Sequence, residues 1–167
     1  NVAVGSNTLA NQNFTSATNS YNTGVGYGAG QEITTGKQNT FIGGLAGDAT
    51  TTADNNTAIG YLSLSANTTG ASNVAVGGNA LDANTTGASN VAVGWNSMTT
   101  NTTASNNTAV GQSALGLNTT GASNVAVGQA ALDANTTGAD NVAIGINALG
   151  ASDTSNRNVA IGRHALS

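Results

Sequence analysis

An asparagine recurs along this chain at a fixed step, and that step leaves few architectures open. The pattern N-x-A-[VI]-G, or a close variant, begins at Asn1, Asn22, Asn39, Asn56, Asn73, Asn90, Asn107, Asn124, Asn141 and Asn158. From Asn22 onward every interval is 17. Ten copies of one unit account for residues 1–167 as a single repeat domain without a linker. The first copy carries four extra residues between Asn11 and Tyr21, and the last stops after its tenth position. A short fixed period marks a solenoid, in which each unit buries its apolar side only against its neighbours.

The copy from Asn73 to Ser89, NVAVGGNALDANTTGAS, defines positions 1 to 17. Position 5 is glycine in all ten copies, and position 4 is always Val or Ile. Position 9 is Leu in seven copies and Met98 in one, and position 8 is Ala, Ser or Thr. Positions 12 to 15 read NTTG or close to it from Asn67 to Gly138. Asn, Gly and Thr are poor helix formers. Positions 2 to 4 alternate with period two between turn residues, which predicts a strand. A second short strand is expected at positions 8 to 11, with NTTG as the return turn. The fold class expected is all-β: a parallel β-solenoid with one repeat unit per coil. Nine steps at the ordinary strand spacing give a rod of about 43 Å.

The pleat sorts the side chains. Positions 2 and 4 share one face and position 3 takes the other. With Leu81, Leu115 and Leu132, the Val, Ile and Thr of positions 2 and 4 are expected to fill the coil. The position 3 column (Ala58, Ala75, Ala92, Ala109, Ala126, Ala143 and Ala160) is then expected outside, as the contact between subunits. Copies two and three depart from the unit, with Gly30 and Gly47 in the Leu position and Phe41 in the Ala position. Ile33 and Leu45 are expected to refill the core there.

Composition excludes several functions. Only 6% of the residues are charged, and three basic side chains (Lys37, Arg157 and Arg163) are too few to neutralise a run of phosphates, so no nucleic-acid partner is expected. No apolar run approaches a membrane helix. Cysteine is absent, which removes disulfides and thiolate chemistry. The stretch Gly24 to Gly30, GVGYGAG, lacks the helix and downstream acid of a dinucleotide loop. Glu32, Asp48, Asp54, Asp82, Asp133, Asp140 and Asp153 are scattered over the repeat and lack the dense array of calcium β-rolls. His164, the single histidine, has no evident catalytic partner. The expectation is a protein that is not an enzyme, with no cofactor and no metal site.

Three features remain as candidates for binding. Tyr27, Tyr61 and Trp95 all occupy position 6, at intervals of two repeat units, and form a column with every second coil filled. Exposed aromatics in a row can stack on sugar rings; buried, they would cover neighbouring coils. Eight N-x-S/T triplets, at Asn13, Asn55, Asn67, Asn84, Asn101, Asn106, Asn118 and Asn135, are glycan acceptors in a secreted eukaryotic protein, or turn chemistry repeated by the coil. Paired threonines, from Thr34-Thr35 to Thr136-Thr137, would stack into a ladder that opens an ice-binding reading. Neighbours on a strand point to opposite faces, so each pair offers one outward column.

The NVAVG, NTAIG and NVAIG blocks resemble the head repeats of YadA-like trimeric adhesins, and NTAVGQSALGLNTTGAS (Asn107 to Ser123) is similar to repeats of the same length in phage tail fibres. The resemblance covers all ten copies and implies a left-handed β-roll. It also implies a homotrimer about a common axis, an extracellular place on a virion fibre or cell surface, and attachment to a host glycan or protein receptor. Neither NVAVG at one end nor RHALS at the other reads as a polar cap, so further repeats or capping domains are expected on both sides. The register itself is testable. Deleting Asn73 to Ser89, one whole unit, should leave a folded, shorter rod. Deleting one residue fewer should turn the following strands inside out and lower the melting temperature sharply by circular dichroism.

Overall fold

The computed structural model describes residues 1–14 and 19–167; part of the first copy's insertion lies outside them. Ten three-residue strands follow one another: β1 (Val2–Val4), β2 (Thr23–Val25), β3 (Thr40–Ile42), β4 (Thr57–Ile59), β5 (Val74–Val76), β6 (Val91–Val93), β7 (Thr108–Val110), β8 (Val125–Val127), β9 (Val142–Ile144) and β10 (Val159–Ile161). They form one parallel sheet in sequence order. The register never slips: Val74 lies beside Val91, and Ala75 beside Ala92. The chain is a parallel β-solenoid with one strand per coil.

The expected second strand at positions 8 to 11 is a turn. Residues at positions 7 and 9 take left-handed backbone angles in every coil, as at Asn79 (φ 55°) and Leu81 (φ 54°), and so does the residue before each repeat asparagine from Tyr21 onward. This alternation breaks the pleat, so neighbours stop pointing to opposite sides. Ala80 and Leu81 are consecutive, yet both are fully buried. A leucine in this conformation costs about 1–2 kcal/mol, and complete burial of its side chain returns about 1.5–3 kcal/mol.

The backbone compensates by bonding from coil to coil around its perimeter. The Val74 N–H donates to the Asn90 carbonyl (2.8 Å), Asn79 to Tyr61 (3.0 Å), Leu81 to Ser97 (3.1 Å) and Thr85 to Thr102 (2.8 Å). The glycine at position 5 makes this stacking possible. Gly77 sits at φ 132°, and a Cβ there would lie 2.6 Å from the carbonyl oxygen of Gly94 in the next coil.

Which pleat faces inward reverses the expectation. Ala58, Ala75, Ala92, Ala109, Ala126 and Ala143 are fully buried inside the coil, and Ala160 nearly so. They cannot form a subunit contact. The Val, Ile and Thr of positions 2 and 4 face outward. The reason is the width of the coil: position 3 points straight at positions 8 and 9. A Cβ on Gly24 would come within 3.0 Å of Leu9 Cγ. With a leucine already across the interior, at most a methyl group fits, and at Gly24, where a Cβ would also lie 2.5 Å from Thr8 Cγ2, not even that.

Phe41 obeys the same rule from the other side. It is fully buried, and its ring fills the room left by both missing leucines. A Cβ on Gly30 would meet Phe41 Cδ2 at 2.6 Å, and one on Gly47 would meet the same ring. Ile33 joins this core as expected, from position 12. Leu45 does not: it is half-buried at position 7, outside the core.

Two asparagine ladders complete the coil. At position 1, the Asn56 side-chain oxygen accepts from the Asn73 N–H (2.9 Å), and Asn73 Nδ2 donates to the Gly87 carbonyl (2.8 Å). At position 12, Asn101 Nδ2 donates to Asn84 Oδ1 (2.9 Å) and to the Ala104 carbonyl (3.2 Å). Nearly all these amides are fully buried, where an unsatisfied one would cost about 1–3 kcal/mol.

The exchange between positions 3 and 9 predicts a compensating pair. Phe41→Ala should destabilise the rod by about 3–5 kcal/mol. Adding Gly47→Leu should recover part of that loss, because Gly47 (φ 57°) has the backbone that Leu64 (φ 56°) already adopts. Chemical denaturation of the single and double variants measures both.

Candidate binding surfaces

Three columns face solvent along the rod. The first is the outer side of the sheet. Position 4 presents Ile42, Ile59, Val110, Val127 and Ile144, all exposed, with half-buried Val or Thr of position 2 beside them. This apolar strip follows from the inverted pleat.

The second column is aromatic. Tyr27, Tyr61 and Trp95 are 59%, 62% and 55% exposed. More than half of each side chain is open to solvent. Between them in the stack stand Gly44 and Gly78, also at position 6. A Cβ on Gly44 would lie 3.5 Å from Tyr61 Cδ2, and one on Gly78 would lie 3.3 Å from Trp95 Cδ1. The rings of Tyr61 and Trp95 thus stand beside the glycine of the preceding coil, whereas Tyr27 has Ser6 in that place.

The third column is threonine. At position 13 the hydroxyls bond the next coil, as from Thr68 to the Thr85 carbonyl (3.1 Å) and from Thr85 to the Thr102 carbonyl (3.0 Å). The partners at position 14, Thr35, Thr52, Thr69, Thr86, Thr103, Thr120 and Thr137, are exposed. Each pair thus offers one outward threonine, on a turn.

The N-x-S/T triplets separate by burial. Asn67, Asn84, Asn101, Asn118 and Asn135 form the position 12 ladder and are fully buried, so they are turn chemistry and cannot accept a glycan in the folded rod. Asn55 and Asn106 are exposed ahead of their repeat asparagines. Asn13 is exposed too, but its Thr15 lies outside the described residues.

The acids remain apart. Among the described residues, no three His, Cys, Asp or Glu come together as metal ligands. Asp82 accepts from the Thr99 hydroxyl (2.7 Å), and Asp54 from the Lys37 N–H (2.7 Å). Asp140 stands 4.0 Å from Arg157 on the surface. Asp133 lines a depression of about 230 Å³ with Asn96, Thr99, Ser113, Gly116 and Leu117. GVGYGAG runs through β2 into its turn, with Gly24 and Gly30 buried and Gly26, Gly28 and Gly30 at positive φ. His164 is exposed at position 7 of the last coil. Sequence reasoning singled out the alanines and missed the position 4 strip. Its signal was the branched residue held in all ten copies beside a position that tolerates only small side chains or one phenylalanine.

Compared with protein-family models, with curated proteins and with solved structures, the chain matches none.

Burial pushes the Asp48 carboxyl above its ordinary range, with the charge of Glu32 adding to the effect and the N–H groups of Asp48 and Ala49 opposing it. A raised carboxyl binds its proton more tightly folded than unfolded, so folding gains stability as pH falls through the raised value and loses it as pH rises. Asp48→Asn should therefore raise the melting temperature at neutral pH. That gain should vanish below the ordinary carboxyl value of 3.8, as thermal melts at the two pH values will show.

Proposed function

We propose that this chain is a rigid segment of an extracellular fibre or adhesin, of the kind found in phage tail fibres and trimeric surface adhesins, where it holds and presents a surface for attachment to a host. The observation that carries the reading is the outer face of the sheet. Parallel sheets are ordinarily covered on both sides, and here the side away from the core carries Val or Ile in every coil. Long exposed apolar strips mark association surfaces. Copies of the chain packed side by side through this strip would cover it along the whole rod. Three copies is the number that the resemblance to adhesin heads supplies, and a host-surface glycan or protein is the receptor class that goes with it.

The alternative is an ice-binding solenoid. Its support is the exposed position 14 threonine column, and thermal hysteresis abolished by Thr86→Tyr would favour it. For the fibre reading, light scattering behind size exclusion should give a homo-oligomer for the native sequence. Ile59→Lys with Val127→Lys should give a folded monomer, since neither side chain reaches the core. A native chain that stays monomeric and folded at high concentration overturns the side-by-side assembly.

A further inference from the structure

The position 6 column has a geometry of its own. Tyr27, Tyr61 and Trp95 recur every second coil, and the register between coils is unbroken from β2 to β6. At the ordinary strand spacing, neighbouring rings in this column stand about 9.6 Å apart along the rod, and the outer two about 19 Å apart. Gly44 and Gly78 between them have no backbone need to be glycine, since neither takes a positive φ. A Cβ at Gly44 would just touch the Tyr61 ring (3.5 Å), and one at Gly78 would press on the Trp95 ring (3.3 Å), so the two glycines keep the column clear between the rings. Aromatic and glycine alternate as large and absent side chains in one column.

The geometry points to an extended, neutral β-1,4-linked glycan as the ligand of this column, one sugar lying against each coil. This deepens the attachment reading above by naming its ligand class, and rests on it. In such a chain successive pyranoses are turned over, so every second ring presents the same face. Its repeat is therefore two sugars, and one sugar advances the chain by about one coil. Three aromatics two coils apart meet three like-facing rings of a segment about five sugars long. The axial C–H groups of each face then lie on an aromatic ring more than half exposed.

The strip is also electrically neutral. Positions 5 to 9 of copies two to six read GYGAG, GGLAG, GYLSL, GGNAL and GWNSM, with no charged residue among them. A polyanionic glycan would find no counter-charge there. Asn79 and Asn96, at position 7 beside the Trp95 end, are joined by a hydrogen bond that Asn79 Nδ2 donates to Asn96 Oδ1 (3.2 Å) and stay partly accessible, so their remaining donors and acceptors can meet sugar hydroxyls. A helical α-1,4 chain turns its ring faces away from a straight row and should not fit.

Trp95 is the single tryptophan, so its fluorescence reports directly on occupancy. Titration with cellohexaose should give a saturable shift, with affinity rising from cellotriose to cellohexaose, and maltohexaose should give none. Tyr61→Ala keeps the reporter and should weaken cellohexaose by about tenfold, the size of one lost stacking contact. Its far-UV circular dichroism should match the native protein, because the ring is exposed. Absence of a saturable cellohexaose signal, equal binding of maltohexaose, or unchanged affinity in Tyr61→Ala would each overturn the assignment. Light scattering on the same samples keeps the two readings apart: an intact oligomer that ignores cellohexaose removes the glycan and leaves the fibre.

Discussion

The repeat asparagine is the constraint on which the rest of the rod depends. Its amide nitrogen closes a coil, reaching from position 1 to the carbonyl of position 15, as Asn90 does to Ala104 (2.8 Å). Its oxygen takes the N–H of the next asparagine, as Asn90 does from Asn107 (3.0 Å). One side chain thus ties the ends of its own coil and seats the next coil upon it. Aspartate could accept but not donate, and glutamine would be a methylene too long for both bonds. The amide also works in a water-free interior, where each such bond is stronger than in solvent and a missing one is costly. That is a physical reason for finding asparagine at the start of all ten units.

With the coil closed this tightly, its interior has room for about one large side chain per layer. Leu81 over Ala75 and Phe41 over Gly47 are two solutions to the same volume. Close-packed interiors tolerate exchanges that conserve volume and resist those that do not. Larger aliphatic groups are therefore displaced to the outside of the sheet. The apolar outer strip is a consequence of a thin core, and the proposed side-by-side assembly rests on it.

Much of this was readable from the chain. The constant step between asparagines, the strand at positions 2 to 4, the inward leucines and the turn role of NTTG all follow from periodicity and turn chemistry. Two readings failed for one reason. The A-L pair at positions 8 and 9 looked like a second strand because both residues are apolar and leucine is not a left-handed residue by habit. Its conformation, φ 54° at Leu81, is imposed by stacking contacts that lie a whole repeat away in sequence. Once that turn brings two consecutive side chains inward, the opposite wall has space only for alanine, and the pleat reverses. The exposure of Tyr61 and Trp95 was likewise undecided by spacing alone. The glycines between them were the available signal.

The bonds between coils run along the axis of the rod, and so would any load carried between its ends. A coil occupies about 4.8 Å of axial length, while its stretch of chain spans about 56–61 Å when drawn out. A tug strong enough to peel one coil from the stack therefore lengthens the tether more than about tenfold locally, while every remaining coil keeps its own closure and its own neighbours. The rod is stiff below that force and yields above it one layer at a time. A rod built this way would absorb a sudden pull in steps and leave the rest of its length in working order.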